Sequence, residues 1–432
     1  MRSARGSPGT WGRTRVMGSV LFLCHRMPWP PDKGDKIRSY HVLRRLAEHH
    51  RVYLGTFVDD PADWAYLDQV KAICADVCVC PLTTWAARWR ALGALVRREP
   101  LTVGVYRNRV MRGWIEQLMV EHRPDAVLCY SSGVAPLAMP YAGLRRVMDF
   151  VDADSDKWRQ YAQARRGPMG VIYRREARQL AALERTVAEC FDASVFASEA
   201  EAALFRKQAP ASADKVHGIL NGVDADYWDP GLAGPSPYGP GERPIVFVGA
   251  MDYQANVDAA QWFAREVWPR IHASRQDARF YIVGSKPAPA VWALGQLEGI
   301  KVTGRVDDVR PWLAHAYAAV APLRIARGIQ NKVLEAMAME KVVLATPSAW
   351  EGIDDFDGRQ GCISDQPGTM ADEALRWLEL PRPARAAAAR IRVLSHYQWA
   401  RNLDVYQRVL VPSAMSHAAG YAGHAPSVGA CS

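Results

Sequence analysis

Residues AAVAPLRIARGIQNKVLEAMAMEKVVLAT (318–346) contain a strand, a helix and a second strand in succession. The two apolar runs, 318–322 and 341–346, have the length and composition of buried strands. The segment between them continues from Gly328 as a run of helix-forming residues. A helix that joins two buried strands predicts a parallel sheet with helices on both faces.

The same unit recurs in two series along the chain. Further strands are predicted in the first half at 20–24, 51–58, 77–80, 125–130, 146–151 and 193–198, and in the second half at 245–250, 279–284 and 300–304. The Pro/Gly-rich stretch 229–244 separates the series and is typical of a linker. We therefore predict an α/β protein with two doubly wound, Rossmann-like domains that face a central cleft.

The chain has 432 residues, which is enough for more than one core. The predicted segments are a disordered extension (1–17), an N-terminal domain (18–225), a linker (226–244), a C-terminal domain (245–394), a C-terminal helix (395–412) and a flexible tail (413–432).

The composition excludes several classes of protein. Hydrophobic residues make up 49% of the chain and charged residues 23%, as in ordinary globular proteins. No run approaches ~18 uninterrupted apolar residues, so no membrane-spanning helix is predicted. Eight cysteines without a CxxC pair do not indicate a disulfide framework. We interpret the cluster of Cys74, Cys78 and Cys80 as reduced thiols, and therefore predict a cytoplasmic protein.

The positive charge lies in one half of the chain. Residues 1–225 hold 33 Lys and Arg against 24 Asp and Glu, whereas the remaining residues hold 21 of each. The two halves are therefore expected to meet different partners. No aromatic–basic recognition module is evident, so nucleic acid is not a predicted partner.

The segment WAARWRALGALVRRE (85–99) has an amphipathic pattern with two interpretations. Its apolar stripe can face a core while the arginines stay solvated. Alternatively, a basic helix with interfacial tryptophans suits an anionic membrane surface, such as the inner face of the plasma membrane.

The first loop, CHRMPWPPDKGDKIRSYHVLRRL (24–46), follows the first predicted strand and leads into a helix. It has one glycine, Gly34, between Lys33 and Asp35, and it lacks the GxGxxG pattern of dinucleotide-binding folds. The missing pattern disfavours a dehydrogenase. Gly34 either lets backbone N–H groups approach an anion or belongs to an ordinary turn.

Lys332 and Glu335 are three residues apart in the first turns of the helix in 318–346. Helix N-terminal amides and a lysine can meet a phosphate, while a carboxylate can accept both hydrogen bonds of a vicinal diol such as ribose. The alternative is a surface Lys–Glu pair worth about 0.3–0.5 kcal/mol.

Several segments together resemble a known family. The stretch GIQNKVLEAMAMEKVVLATPSAWEGI (328–353) is similar to the donor-site segment of glycosyltransferase family 4, whose members have the two-domain GT-B fold. In the family's order, so are 219–228 (ILNGVDADYW), 246–263 (VFVGAMDYQANVDAAQWF) and 302–313 (VTGRVDDVRPWL). The first-half segments 25–47 and 148–158 resemble the sugar transferases of PEP-CTERM/exosortase exopolysaccharide loci. The resemblance covers roughly residues 18–410.

This resemblance implies roles for individual residues. Glu335 matches the second glutamate of the family's E-x7-E motif, which binds ribose hydroxyls. The other implied donor-binding positions are Gly34 in the first loop, Arg305 and Val306 beside the base, and Gly328, Asn331 and Lys332 at the diphosphate and sugar. We also predict Asn256 as a donor-binding residue.

Two positions depart from the family pattern. The first glutamate of E-x7-E is replaced by Arg327, and Ala250 and Asn256 stand roughly where many members place an arginine and a lysine on the diphosphate. Our hypothesis is that Arg327 and Lys332 supply the missing positive charge as catalytic residues.

The stretch DADSDKW (152–158) contains a D-x-D pair, Asp152 and Asp154. Three interpretations are open: a divalent metal site, contacts to acceptor or sugar hydroxyls, and helix capping by Asp154 or Ser155. We favour the second, with Asp152 catalytic and Lys33, Asp149 and Asp154 on the acceptor side, and we predict no metal site.

The resemblance implies a retaining, metal-independent transfer from a nucleotide diphosphate sugar to a saccharide or lipid-linked acceptor, with no cofactor besides that co-substrate. Exopolysaccharide or cell-surface glycan synthesis is the implied setting. The alternatives are a UDP-sugar 2-epimerase-like enzyme and a non-catalytic protein that binds nucleotides or polyanions.

Overall fold

The computed structural model describes residues 18–31, 34–82, 93–94, 97, 99–164, 167–326, 328–353, 358–379 and 383–411. These residues form two compact units. The first contains the described residues up to Phe196, Glu201–Gly218 and the described residues from Leu403 onward. The second contains Ala197–Ala200 and Ile219–Asn402.

The first unit is built on a seven-stranded sheet in the order β3-β2-β1-β4-β5-β6-β7, and all its strand pairs are parallel. The strands are β1 (Ser19–Cys24), β2 (Arg51–Val58), β3 (Asp76–Pro81), β4 (Ala126–Tyr130), β5 (Arg145–Val151), β6 (Ala193–Phe196) and β7 (Val216–Gly218). Its α-helices are Gly34–His49, Leu67–Lys71, Leu101–Tyr106, Arg109–Glu121, Asp154–Ala164, Pro168–Cys190, Glu199–Gln208 and Asp404–Leu410, and 3-10 turns cover Pro61–Tyr66, Ser132–Leu137 and Pro210–Lys215.

The second unit contains a six-stranded parallel sheet in the order β10-β9-β8-β11-β12-β13. The strands are β8 (Arg243–Val248), β9 (Ala278–Val283), β10 (Ile300–Gly304), β11 (Ala318–Ala321), β12 (Val343–Ala345) and β13 (Gly361–Ile363). Its helices are Gln254–Trp262, Trp268–Ser274, Pro289–Trp292, Arg310–Ala314, Asn331–Ala338, Pro347–Trp350, Pro367–Glu379, Pro383–His396 and Trp399–Asn402; a π-helical segment covers Phe263–Val267, and 3-10 turns cover Pro230–Leu232 and Ala293–Gln296.

The inner strands are buried along nearly their whole length, as expected for parallel sheets covered on both faces, whereas the edge strands β3, β7, β10 and β13 are only partly buried. All five residues of β4 and all four of β11 are buried. The predicted α/β class with two parallel sheets is therefore confirmed. Two three-residue strands, β7 and β13, were not predicted from the sequence, because each adds only a short edge to its sheet.

The segment 395–412, predicted as one helix, contains three helical pieces within its described part. The first ends at His396, and the others are Trp399–Asn402 and Asp404–Leu410. The chain passes from the second unit to the first between Asn402 and Leu403. The interruption between the second and third helical pieces coincides with this passage.

Within the described ranges, no helix is both long and apolar enough to cross a bilayer. The cysteines in the same ranges, including Cys74, Cys78 and Cys80, are free thiols.

Candidate functional site

The sheet of the second unit has a topological switch point between β8 and β11. From β8 the chain proceeds outward to β9 and β10, whereas from β11 it proceeds in the opposite direction to β12 and β13. Ligands of open parallel sheets bind beyond the carboxyl ends of the strands at this point. A ligand site is therefore expected in the loops after β8 and β11.

Glycines bring the loops at this edge close together. The Gly249 N–H, just after β8, donates to the carbonyl of Val283 at 3.1 Å. A Cβ atom on Gly284 would lie 1.7 Å from the Gly249 carbonyl oxygen, so only glycine fits at position 284. A Cβ atom on Gly249 would lie 2.8 Å from Nδ2 of Asn256. Two consecutive strand ends thus approach one another without intervening side chains.

Asn256 links the loop after β8 to the helix after β11. Its side chain is buried, and its Nδ2 donates to the carbonyl of Ala250 at 2.8 Å. Its Oδ1 accepts a 2.5 Å hydrogen bond from Nζ of Lys332. That ammonium also lies 5.1 Å from the centre of the Phe247 ring. Asn256 therefore positions Lys332 with a neutral amide rather than with a carboxylate.

The pKa values of Lys332 and Glu335 are both shifted from their usual range. Burial lowers the pKa of Lys332 to about 8, and the negative charge of Glu335 opposes this shift. Burial likewise raises the pKa of Glu335 to about 7, opposed by the charge of Lys332. Neither side chain is fully exposed. A half-buried ammonium that is hydrogen-bonded only to an amide among the described residues is available to bind an anion.

The start of the helix Asn331–Ala338 provides further donors. Gly328, three residues before it, has a φ of +63°, a conformation that favours glycine. A Cβ atom there would meet no described atom within 4 Å, so the backbone borders open space. The first amides of a helix have no intrahelical acceptor. Oδ1 of Asn331 is buried and has no hydrogen-bond partner within the described residues.

The two residues predicted to lie against the base follow β10. Arg305 is exposed, and Val306 is half-buried against the core of the unit. Nearby in sequence, Arg310 forms a two-pronged ion pair with Asp308, and its guanidinium lies 4.4 Å from the centre of the Tyr227 ring.

Tyr227 was not predicted as a site residue, although it lies in the quoted segment 219–228. Its pKa is raised by burial first, and the negative charges of Asp308 and Glu335 add to this shift. The phenol is therefore an electrostatic neighbour of the Glu335 carboxylate. Its ring is 46% exposed, a state compatible with ligand contact.

The first unit has its own switch point, between β1 and β4. The loop after β1 begins with His25, whose ring stacks on Tyr130 at the end of β4 with centroids 5.8 Å apart. Nε2 of His25 lies 3.3 Å from a carboxylate oxygen of Asp35, which also accepts from Arg26 at 2.8 Å. Nδ1 of His25 is buried without a hydrogen-bond partner in the described part of the chain. Sequence reasoning missed this histidine because one His after a strand carries no spacing signal.

Asp149 lies deep in the first unit rather than at its surface. Its Oδ2 accepts from Nε of Arg38 at 3.1 Å and from the hydroxyl of Tyr406, and its Oδ1 accepts from the Val151 amide at 2.9 Å. Asp149 is fully buried. These contacts give the carboxylate a structural role, and the predicted acceptor-side role stays a prediction.

Asp152 and Asp154 are placed in different surroundings. Asp152 is exposed just after β5. Asp154 begins the helix Asp154–Ala164 and accepts from the Ser132 hydroxyl at 2.6 Å. Ser155 instead donates from its amide to Glu184 at 3.0 Å. Neither Asp154 nor Ser155 uses its side chain here to cap the helix.

The remaining predicted positions are Gly34, Lys33, Arg327 and the 85–99 segment. Gly34 begins its helix, and a Cβ atom there would meet no described atom within 4 Å. Arg327, Lys33 and most of the 85–99 stripe lie outside the described residues. Within the described ranges, no group of three or more His, Cys, Asp or Glu side chains could hold a metal ion.

Comparisons with known proteins identify a family that resembles part of this chain. Residues 242–380 match the family model of glycosyl transferases group 1. This part of the chain is similar to a glycosyltransferase group 1 domain. It contains β8 to β13, the switch point and the Asn256–Lys332 contact. The predicted enzyme class, a glycosyltransferase, is thereby confirmed. A search of curated protein sequences found no match.

Solved protein structures share the fold over more than nine-tenths of the chain. The Anabaena protein HepE, in complex with UDP and glucose, has a TM-score of 0.60 at 14% identity, covering 91% of this chain and 99% of its own. Sucrose-phosphate synthase from Thermosynechococcus elongatus has a TM-score of 0.64 at 14% identity with the same coverage. WaaG, a glycosyltransferase involved in lipopolysaccharide biosynthesis, has a TM-score of 0.56 at 16% identity, covering 94% and 100%. The GT-B fold is therefore confirmed.

Proposed function

We propose that this glycosyltransferase takes its sugar from a UDP-sugar bound at the carboxyl edge of the second sheet. The Lys332 ammonium carries the proposal, because it is held by the Asn256 amide and has no carboxylate hydrogen-bonded to it among the described residues. A bound diphosphate would supply the counter-charge. The UDP and UDP-glucose complexes of the similarly folded HepE support this donor class.

In the proposed reaction, the bond between the sugar carbon and the diphosphate oxygen breaks, and its electron pair stays on the leaving UDP. The acceptor hydroxyl forms the new bond to that carbon and releases its proton to the solvent. Negative charge therefore develops on the diphosphate, where Lys332 and the first amides of the helix Asn331–Ala338 would stabilise it. Glu335, as a carboxylate, would accept hydrogen bonds from a sugar diol. Arg327 and Asp152 keep their proposed catalytic roles.

The finer assignments rest on the motif resemblance. They are membership of glycosyltransferase family 4, retention of anomeric configuration, independence of metal, and a role in exopolysaccharide or cell-surface glycan synthesis of the PEP-CTERM/exosortase type. The proposed acceptor is a saccharide or a lipid-linked saccharide, and the proposed location is the cytoplasm. EDTA treatment tests metal independence, and the anomeric signal of the product in NMR tests retention.

A thermal-shift screen against UDP-, GDP-, ADP- and dTDP-sugars tests the donor. We expect UDP-sugars to raise the melting temperature of the wild-type protein, since a ligand that binds only the folded state stabilises it. Lys332→Met and Glu335→Gln should each weaken donor binding by about tenfold or more, the loss expected for one charge-assisted hydrogen bond.

Glu298→Gln is the matched control, because the Glu298 side chain is 85% exposed in the same unit and should not affect the shift. If Lys332→Met and the control bind UDP-sugars equally well, the site is elsewhere. Incubation with UDP-sugars but no acceptor gives a second test: an epimerised sugar would indicate the epimerase-like alternative.

A further inference from the structure

The helical hairpin Asp154–Cys190 of the first unit carries a groove that the proposed transfer reaction does not use. The groove has a volume of about 760 Å³ and lies between the helices Asp154–Ala164 and Pro168–Cys190. Small side chains line part of it, and four arginines surround it: Arg159, Arg174, Arg178 and Arg185.

The positive charge of this groove is largely uncompensated. Arg159 pairs with Asp156, but the guanidinium groups of Arg174, Arg178 and Arg185 form no ion pair or hydrogen bond with any described residue. Two acids of the longer helix are unable to balance them, because Glu176 and Glu184 are fully buried. An anion is therefore the expected occupant.

Apolar side chains accompany the arginines on the same hairpin. Met169, Val171 and Ile172, in the first turn and a half of the longer helix, are 46%, 57% and 37% exposed. Tyr161 on the shorter helix is 47% exposed. Val171 precedes Arg174 by three residues and Arg178 by seven, so it lies on the arginine side of the helix. Exposed apolar residues next to arginines are typical of surfaces that lie in a bilayer interface.

The spacing of the arginines favours a surface over a single soluble anion. Arg174 and Arg185 are eleven residues apart, which corresponds to about 16 Å along a helix. One phosphate cannot span this distance, whereas neighbouring lipid headgroups can. We propose that the hairpin Asp154–Cys190 docks the protein on an anionic phospholipid surface, with the groove arginines on the headgroup phosphates and the Met169–Ile172 turn in the interface. This surface is separate from the 85–99 stripe and goes beyond the proposed transfer reaction.

Flotation with vesicles tests this proposal on the full chain. We expect binding to vesicles of phosphatidylcholine with phosphatidylglycerol, and little binding to phosphatidylcholine alone. The triple variant Arg174→Gln, Arg178→Gln, Arg185→Gln should bind the anionic vesicles about a hundredfold more weakly. Val171→Ser with Ile172→Ser should weaken binding about tenfold, because the lost apolar burial does not depend on charge.

The matched control is Arg109→Gln, Arg112→Gln, Arg123→Gln, which removes the same charge from exposed positions on and just after the helix Arg109–Glu121. It should retain binding within about threefold if location matters more than net charge. Equal losses of vesicle binding in the two triple variants, or equal binding of the wild type to neutral and anionic vesicles, would overturn the proposal.

A soluble anion is the other outcome. The groove would be assigned to it if inorganic pyrophosphate stabilised the wild type but not the groove variant, and if neither protein bound vesicles. UDP-sugar thermal shifts should stay unchanged in all these variants, so failure here is distinguishable from failure of the proposed function.

Discussion

Nε of Arg38 donates a 3.1 Å hydrogen bond to Oδ2 of Asp149, and both side chains are fully buried in the first unit. The hydroxyl of Tyr406, from the C-terminal helix Asp404–Leu410, donates to the same oxygen. The helix Asp404–Leu410 is thus bonded to strand β5 of the first sheet through one carboxylate. Breaking a buried pair leaves an uncompensated charge, which is costly in a medium of low polarity.

Arg38→Met should therefore lower the free energy of unfolding by about 3–5 kcal/mol. Tyr406→Phe removes two hydrogen bonds, the one donated to Asp149 and the one accepted from Nη2 of Arg38 at 3.2 Å, and should cost about 1–3 kcal/mol. Urea unfolding followed by circular dichroism measures both. Arg45→Met is the control, because its pairs with Glu48 and Asp404 are at the surface and should contribute less than about 1 kcal/mol. An Arg38 variant as stable as the Arg45 variant would contradict this account.

The sequence predicted eleven strands whose positions agree with the structure to within a few residues, because buried parallel strands form continuous apolar runs. It also placed Lys332 and Glu335 at the start of the helix after β11. It could not show that Lys332 contacts Asn256, since that contact depends on the three-dimensional positions of two helices, and the two residues are 76 apart in sequence. For the same reason the buried location of Asp149 was not predicted: its partners Arg38 and Tyr406 are distant in sequence.

Gly249→Ala should weaken donor binding without unfolding the protein. The added Cβ would lie 2.8 Å from Nδ2 of Asn256 and 3.4 Å from Nζ of Lys332. Because Asn256 is held by the Ala250 carbonyl, its displacement would break the contact that positions the lysine. We expect a donor Kd raised by about tenfold, as for the loss of one charge-assisted hydrogen bond, measured by isothermal titration calorimetry.

Gly295→Ala is the control for this substitution, because a Cβ there would make only an ordinary contact of 3.7 Å with Val302. It should bind the donor like the wild type. Equal donor affinity in both glycine variants would show that Asn256 does not position Lys332 for binding.

The pH dependence of kcat/KM for the donor should be bell-shaped with a narrow maximum between about pH 7 and about pH 8. Below this window Glu335 takes up a proton and can no longer accept both hydrogen bonds of a diol. Above it Lys332 loses the charge that binds the diphosphate. Initial rates over a pH series at subsaturating donor measure the two limbs.

Two substitutions assign these limbs. Glu335→Gln should remove the acid limb at reduced activity, because the amide does not titrate. Lys332→Arg should move the alkaline limb upward, since a guanidinium stays charged throughout this range. An unchanged profile in either variant would assign that limb to another group.

Glu184 should make the stability of the first unit pH-dependent. Burial raises the pKa of this carboxyl from 4.5 to about 8, although the amide and hydroxyl of Ser155 donate to it. The folded state therefore binds the proton more tightly than the unfolded state, so the stabilisation is complete below about pH 4.5 and is lost as the pH rises through about 8. Relative to Glu184→Gln, the wild type should lose about 2–4 kcal/mol of unfolding free energy between pH 5 and pH 8.5, measured by urea unfolding.

Glu189→Gln, at an exposed position on the same helix, is the control and should show no such difference from the wild type. If the unfolding free energies of the wild type and of Glu184→Gln change in parallel across this range, folding does not raise the pKa of the Glu184 carboxyl.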